Sequence, residues 1–253
     1  MEFFVEKGSV VRQIWGKGDT ILFIFAGASA EFALNKAVEW LYFTGKLPAD
    51  PLGRLFSTVN YARQIVFSDN EAALAAIRKI TAIHTDVENK RGAKIPDWAY
   101  RDVLFMLIHY SISSFEVLER KLTHAEKEEV FNVFYRVGVG MGLRDLPATY
   151  ADWLIARESH MQHDLGNSTY TKDLFKQYRK HLGFVRYQLL LQGQVLVVPE
   201  KVKQLLQLPE SSLLKPVLRI YKLTRYLKLD RLLKSAILPA NYKKEIRELD
   251  VVV

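Results

Sequence analysis

The chain has 253 residues, 49% apolar and 25% charged, a balance that suits one large globular domain and excludes a disordered or low-complexity protein. It has no cysteine, which excludes disulfides and any thiolate-held metal or cofactor. The net charge of +8 is lopsided: residues 201–253 hold 12 Lys and Arg against 5 Asp and Glu, so the basicity belongs to the C-terminal fifth.

In chain order, "MEFFVEKGSVVRQ" carries acids and lacks the apolar run of about 7–15 residues that a secretory signal needs. The most apolar stretch, 20–43, is interrupted by Glu31, Lys36 and Glu39, which argues for a buried helix rather than a membrane span. A soluble, cytoplasmic protein is expected. After "GKGD" (16–19), apolar spacing predicts helices over about 21–43, 52–67, 70–90, 98–120, 124–140, 147–164, 171–191, 199–208 and 212–235. Ser68, Asp69 or Asn70 caps the third of these, Thr123 and Glu126 form a capping box, and Pro147 and Pro199 mark further starts. The best strand candidate is the short "QVLVV" (194–198). The expectation is an all-α fold, a single multi-helix domain over residues 1–253.

No HExxH, Walker loop or GxGxxG is present, and no Glu has a His three residues later, as a di-iron bundle requires. "ESHMQHD" places His160 and His163 at i, i+3, where they could share a metal; the surrounding Asp and Asn point instead to a solvated helix end. His84 is different. It continues the apolar stripe of Ala73, Ile77, Ile80 and Val87. Two readings stand: a core histidine bonded to a carbonyl or hydroxyl, or a neutral imidazole offered to iron. His109, in "VLFMLIHYSISSF", repeats the pattern beside Phe105, Met106, Ile112 and Ser113. Arg54 and Thr58 stand at i, i+4, so they share a helix face, with Tyr61 one turn on. An arginine there suits a carboxylate partner, and a threonine in a dry pocket can hold oxygen or a proton. The plain alternative is a surface arginine and a threonine bonded to its own backbone.

Taken together, Arg-x-x-x-Thr at 54–58, "IHTDV" (83–87), "AYRDVLFMLIHYSI" (99–112) and "MGLRDLPATYADWL" (141–154) resemble the latex-clearing-protein (rubber oxygenase) and MpaB oxygenase family. The resemblance runs over roughly residues 10–240. It implies an all-α fold around a buried haem b, with His84 as the proximal iron ligand. Arg54 and Thr58 then fall at the family's Arg and Thr positions, and His109 lines the pocket or supports it. It further implies a haem-dependent oxygenase using dioxygen on an apolar, unsaturated, isoprenoid-like substrate. Where many members carry a Q-x-x-H-P stretch, this chain reads "AEFALNKAVEWLYF" (30–43), with neither that His nor that Pro. A small terpenoid-like molecule is therefore expected rather than polyisoprene. The alternative is a non-catalytic all-α module that binds haem or a lipid.

The C-terminal segment 213–239 repeats Lys215, Arg219, Lys222, Arg225, Lys228, Arg231 and Lys234 among Leu, Ile, Val and Tyr. Such a basic amphipathic helix suits peripheral contact with an anionic membrane; the other reading packs its apolar side on the core to close the domain. Charge confined to one helix, with no groove-reading module, argues against nucleic acid.

Overall fold

The computed structural model describes residues 2–45 and 49–226, apart from the side chains at 41, 54, 55, 219 and 223–226. Its helices are α1 (Val10–Trp15), α2 (Gly18–Leu34), α3 (Val38–Phe43), α4 (Pro51–Phe67), α5 (Asn70–Arg91), α6 (Asp97–Leu118), α7 (His124–Gly140), α8 (Tyr150–His163), α9 (Thr169–Val197), α10 (Glu200–Leu206) and α11 (Leu214–Tyr226). Among the described residues the fold is all-α in one domain; two isolated β-bridges, Phe3 with Asp69 and Asn35 with Leu165, are its only extended pairings. The part of the expected 212–235 helix beyond residue 226 lies outside the described residues.

The caps explain most boundaries. Asp50, Asp69, Thr149 and Ser168 each accept a backbone N–H from the first turn that follows, and Pro51 starts α4 where its missing N–H costs nothing. Thr123 and Glu126 close the expected capping box. Gly92, at φ 69°, ends α5 in the left-handed conformation that a side chain would resist.

Three elements differ from the sequence expectation. The 21–43 helix breaks at Asn35, whose side chain turns from the helix to accept from the Ala37 N–H and donate to Asp102. That is the competition with the backbone for which asparagine disfavours helix interiors. Residues 194–197 of "QVLVV" are not a strand but the last turn of α9, with Val198 as its cap. Their helical phase is set by α2: Gln194 bonds Ser29, and Gly193 brings the two helices together at Ala26. Ahead of "GKGD" the structure adds α1, started by Ser9.

Helix α2 is the axis of the molecule. It is buried on nearly every side, as its mostly apolar sequence requires, and packs against α1, α3, α6, α9 and α10. Its closest neighbour is α6. Gly27 makes that approach possible: the Tyr110 ring lies flat on it, so that a Cβ there would sit 2.1 Å from the ring. The ring's hydroxyl then reaches Glu31, one turn on along α2. Gly27→Ala should therefore lower the urea midpoint by about 1–3 kcal/mol of stability, the usual cost of overpacking. An unchanged midpoint would show that Tyr110 moves aside freely.

Candidate functional site

Four buried acidic and basic side chains come together from α2, α6 and α8. Glu31 (0% exposed), Asp102 (2%), Arg157 (3%) and His160 (3%) meet in an otherwise apolar interior. Arg157 grips Glu31 with both terminal nitrogens, Nη1 to Oε1 and Nη2 to Oε2. Tyr110 Oη donates to Glu31 Oε2 at 2.7 Å, and His160 Nε2 stands 3.0 Å from Oε1. On the other edge of its ring, His160 Nδ1 lies 2.7 Å from Asp102 Oδ1 and 3.6 Å from Asp164 Oδ2. Asn35 Nδ2 holds the second Asp102 oxygen at 2.9 Å.

These charges keep one another ionised. Burial opposes the charge on Glu31, but Arg157, and then His160, outweigh it and hold the carboxyl well below its usual range. Burial also opposes the charge on His160; Asp102 and Glu31 on its two sides raise it to about 9. Tyr110 is pushed far up, by burial first and then by Glu31.

The sequence missed this cluster. It reads His160 as solvated, whereas the structure buries it and leaves only His163 exposed, with its Nδ1 bonded to the Ser159 carbonyl at 2.8 Å. The polar sequence around His160 misleads because the acids that draw it inward stand on other helices. A signal was present: Trp153, Arg157 and His160 at i, i+4, i+7 form one buried stripe of α8.

The residues singled out by sequence lie elsewhere. Thr58 is half-buried on α4, which packs along α5. Arg54 belongs to the same helix, but its side chain lies outside the described residues. His84 is half-buried on α5 with its ring 5.0 Å from that of Tyr100, at the start of α6. Tyr100 is itself tied to Glu88, which also takes Lys94 and the Ile95 N–H and so clamps the α5–α6 turn. His109 sits nine residues beyond Tyr100, hence about 13 Å further along α6 and on its opposite side. Burial, and then the nearby Arg157 charge, push its imidazole down to about 4, so it is neutral. Its Nε2 is closed to solvent and has no hydrogen-bond partner. The structure thus sets His84 and His109 on different sides of α6, with His109 beside the Glu31 cluster. Two open surface grooves, one along Phe56, Ser57, Asn60, Tyr61 and Lys79, the other along Phe3, Phe4, Glu128, Glu129 and Arg136, include none of Thr58, His84 and His109.

An all-α chain with histidines set into its helical interior is consistent with a redox catalyst, and comparison with known proteins makes that specific. Residues 13–229 match the family described as the catalytic domain of ER-bound oxygenase mpaB/B' and rubber oxygenase, and the chain belongs to this family. It is an oxygenase domain, an oxidoreductase in class. No curated protein and no solved structure matches the chain. Among the described residues, no helix is long and apolar enough to cross a membrane.

The haem that the family resemblance implies can be tested against these groups. A porphyrin iron takes an unprotonated imidazole nitrogen, and His109 offers a neutral, buried ring, set beside the Val197 backbone. His84 offers a second imidazole outside the closed cluster. The Glu31 cluster does not fit a porphyrin, because its guanidinium and carboxylate are spent on each other.

A buried ion pair with one member removed leaves a bare charge in the core. Glu31→Gln and Arg157→Met should each cost about 3–5 kcal/mol in urea unfolding. The double variant should cost clearly less than their sum. Additive losses would mean that the two groups do not depend on each other.

Proposed function

We propose that the chain is a haem-b-dependent oxygenase that uses dioxygen on an apolar, unsaturated substrate of the isoprenoid kind, with His84 as the proximal iron ligand. Membership of the oxygenase family over residues 13–229 carries this reading. It is supported by the half-buried His84 imidazole, held apart from the closed Glu31 cluster.

When bound, the haem supplies the redox-active iron at which dioxygen is activated. The protein's residues do the rest. His84 presents its ring from α5, steadied by Tyr100, which Glu88 fixes in turn. Arg54 pairs a propionate or steadies developing negative charge, and Thr58, one turn further along α4, positions oxygen or a proton. His109, neutral and shut from water on the opposite side of α6, supports the pocket through that helix. The apolar faces of the helices keep the substrate dry. The reaction balances without a reductant: one alkene and one dioxygen give two carbonyl fragments, as C=C and O–O break and two C=O bonds form. A small terpenoid-like substrate and a cytoplasmic location complete the reading.

Protein purified from cells given ample haem precursor should carry one equivalent of haem, seen as its visible absorption band, and should consume oxygen with an alkene substrate. His84→Ala should lose both. A protein that stays colourless after haem addition ends this reading. A protein that keeps its band but turns over no substrate is the non-catalytic haem- or lipid-binding module.

Contact with a membrane surface belongs to the same proposal. Leu213, just ahead of α11, and Val217 and Ile220 within it are 77%, 51% and 63% exposed and stand at i, i+4, i+7, while Lys215 and Lys222 are exposed on the opposite face. An outward apolar row suits a lipid layer, where an apolar substrate is also concentrated, and the lysines of the same helix add attraction to anionic headgroups. The wild type should sediment with vesicles containing about 30% anionic lipid and release them as salt rises, because the charge term is screened. Val217→Asp with Ile220→Asp should stay in the supernatant. Equal sedimentation of both proteins would remove the membrane from the proposal.

A further inference from the structure

We infer that Asp102, His160 and Asp164 form a site for one first-row divalent cation, distinct from the haem. The three offer Asp102 Oδ1, His160 Nδ1 and Asp164 Oδ2, all within 4.8 Å of one another. His160 and Asp164 are i, i+4 at the end of α8, and Asp102 comes from α6.

The argument rests on His160 Nδ1, which is more than nine-tenths buried. Nε2, on the far edge of the ring, faces Glu31 Oε1 at 3.0 Å. Both oxygens of Glu31 are gripped by Arg157, the arrangement of an accepting carboxylate, so Nε2 carries the hydrogen. In the neutral ring Nδ1 then presents a lone pair to two carboxylates. Lone pairs 2.7 Å apart repel unless something positive stands between them. A proton on Nδ1 is one remedy and pairs the ring with Asp102, but at 2.7 Å its direction falls outside good hydrogen-bond geometry. A cation set off the Nδ1–Oδ1 line, in the space shared with Asp164, serves all three atoms at once.

The surroundings are those of a metal centre. Glu31 accepts from the far edge of the histidine, and Asn35 holds the free oxygen of Asp102, so both buried ligands are oriented from behind. Metal–ligand distances of about 2.0–2.2 Å allow ligand atoms up to about 4.4 Å apart, and the 2.7 Å and 3.6 Å separations from Nδ1 fall inside that range. One nitrogen and two carboxylate oxygens suit Mn²⁺, Fe²⁺ or Zn²⁺. Asp164 is 26% exposed, which gives the ion a way in, whereas Asp102 and His160 are closed. The bound ion staples α6 to α8.

The test is direct. Full-length protein, stripped with chelator, is titrated with Mn²⁺ and separately with Zn²⁺ by calorimetry, and its thermal midpoint is followed with each. One equivalent should bind, and the midpoint should rise with metal concentration. Asp164→Asn, at a partly exposed helix end, should keep the fold and weaken binding at least tenfold; His160→Gln should abolish the stoichiometric site. Binding well below one equivalent, or equal binding by wild type and Asp164→Asn, would overturn the site and leave a proton as the positive charge on His160. Haem is read by its visible band and these ions by heat and stability, so either conclusion can fail without the other.

Discussion

One buried ion pair, Glu31 with Arg157, sets the terms for the rest of the structure. Moving two charges out of water costs several kcal/mol per ion, and the pair survives only where the carboxylate and guanidinium are well hydrogen-bonded. Glu31 achieves this with four bonds from three side chains: two from Arg157, one each from Tyr110 and His160. Each partner imposes a requirement elsewhere. Tyr110 needs Gly27, His160 needs Asp102, and Asp102 needs Asn35, which breaks the α2 helix in order to reach it. A single carboxylate thereby fixes the distances among α2, α6 and α8. Apolar packing alone tolerates sliding of one helix along another; a bidentate guanidinium grip does not.

The helices were largely legible because their signals are local. Asp69, Thr123 with Glu126 and the apolar spacing each act within a turn of themselves, and stand where expected. The misses share one cause: the deciding partner lies far away in sequence. Asn35 ends a helix because Asp102, 67 residues on, is waiting for its amide. "QVLVV" has strand-forming residues, but Gln194 and Gly193 are already committed to α2 in helical phase. His160 was read as solvated from its own neighbours, although its true neighbours are Glu31 and Asp102. Glu31 itself served only as evidence against a membrane span, when it is the organising charge of the interior.

The histidines show how burial and function separate. His84 and His109 both lie on apolar stripes, and sequence treats them alike. In the fold they are not alike. His84 is half-buried beside Tyr100, while His109 sits two and a half turns away on the opposite side of α6, forced neutral by burial and by Arg157. The same Arg157 that stabilises Glu31 thus keeps His109 uncharged. Its field favours loss of the proton from both groups, which couples the protonation of the histidine to the integrity of the ion pair.

The exterior obeys the same logic in reverse. Helix α11 has two apolar rows. Leu214, Leu218 and Tyr221 turn inward, and Tyr221 reaches Asp19 at the start of α2 at 3.1 Å. Ser212 and Leu213 are meanwhile tied to Gln192 of α9. With the inner row and the leading end both anchored, the helix cannot roll to hide its outer row, and Leu213, Val217 and Ile220 stay in water. One apolar side of the segment thus closes the domain, and a second row is left in water on the far side of the helix from Lys215 and Lys222.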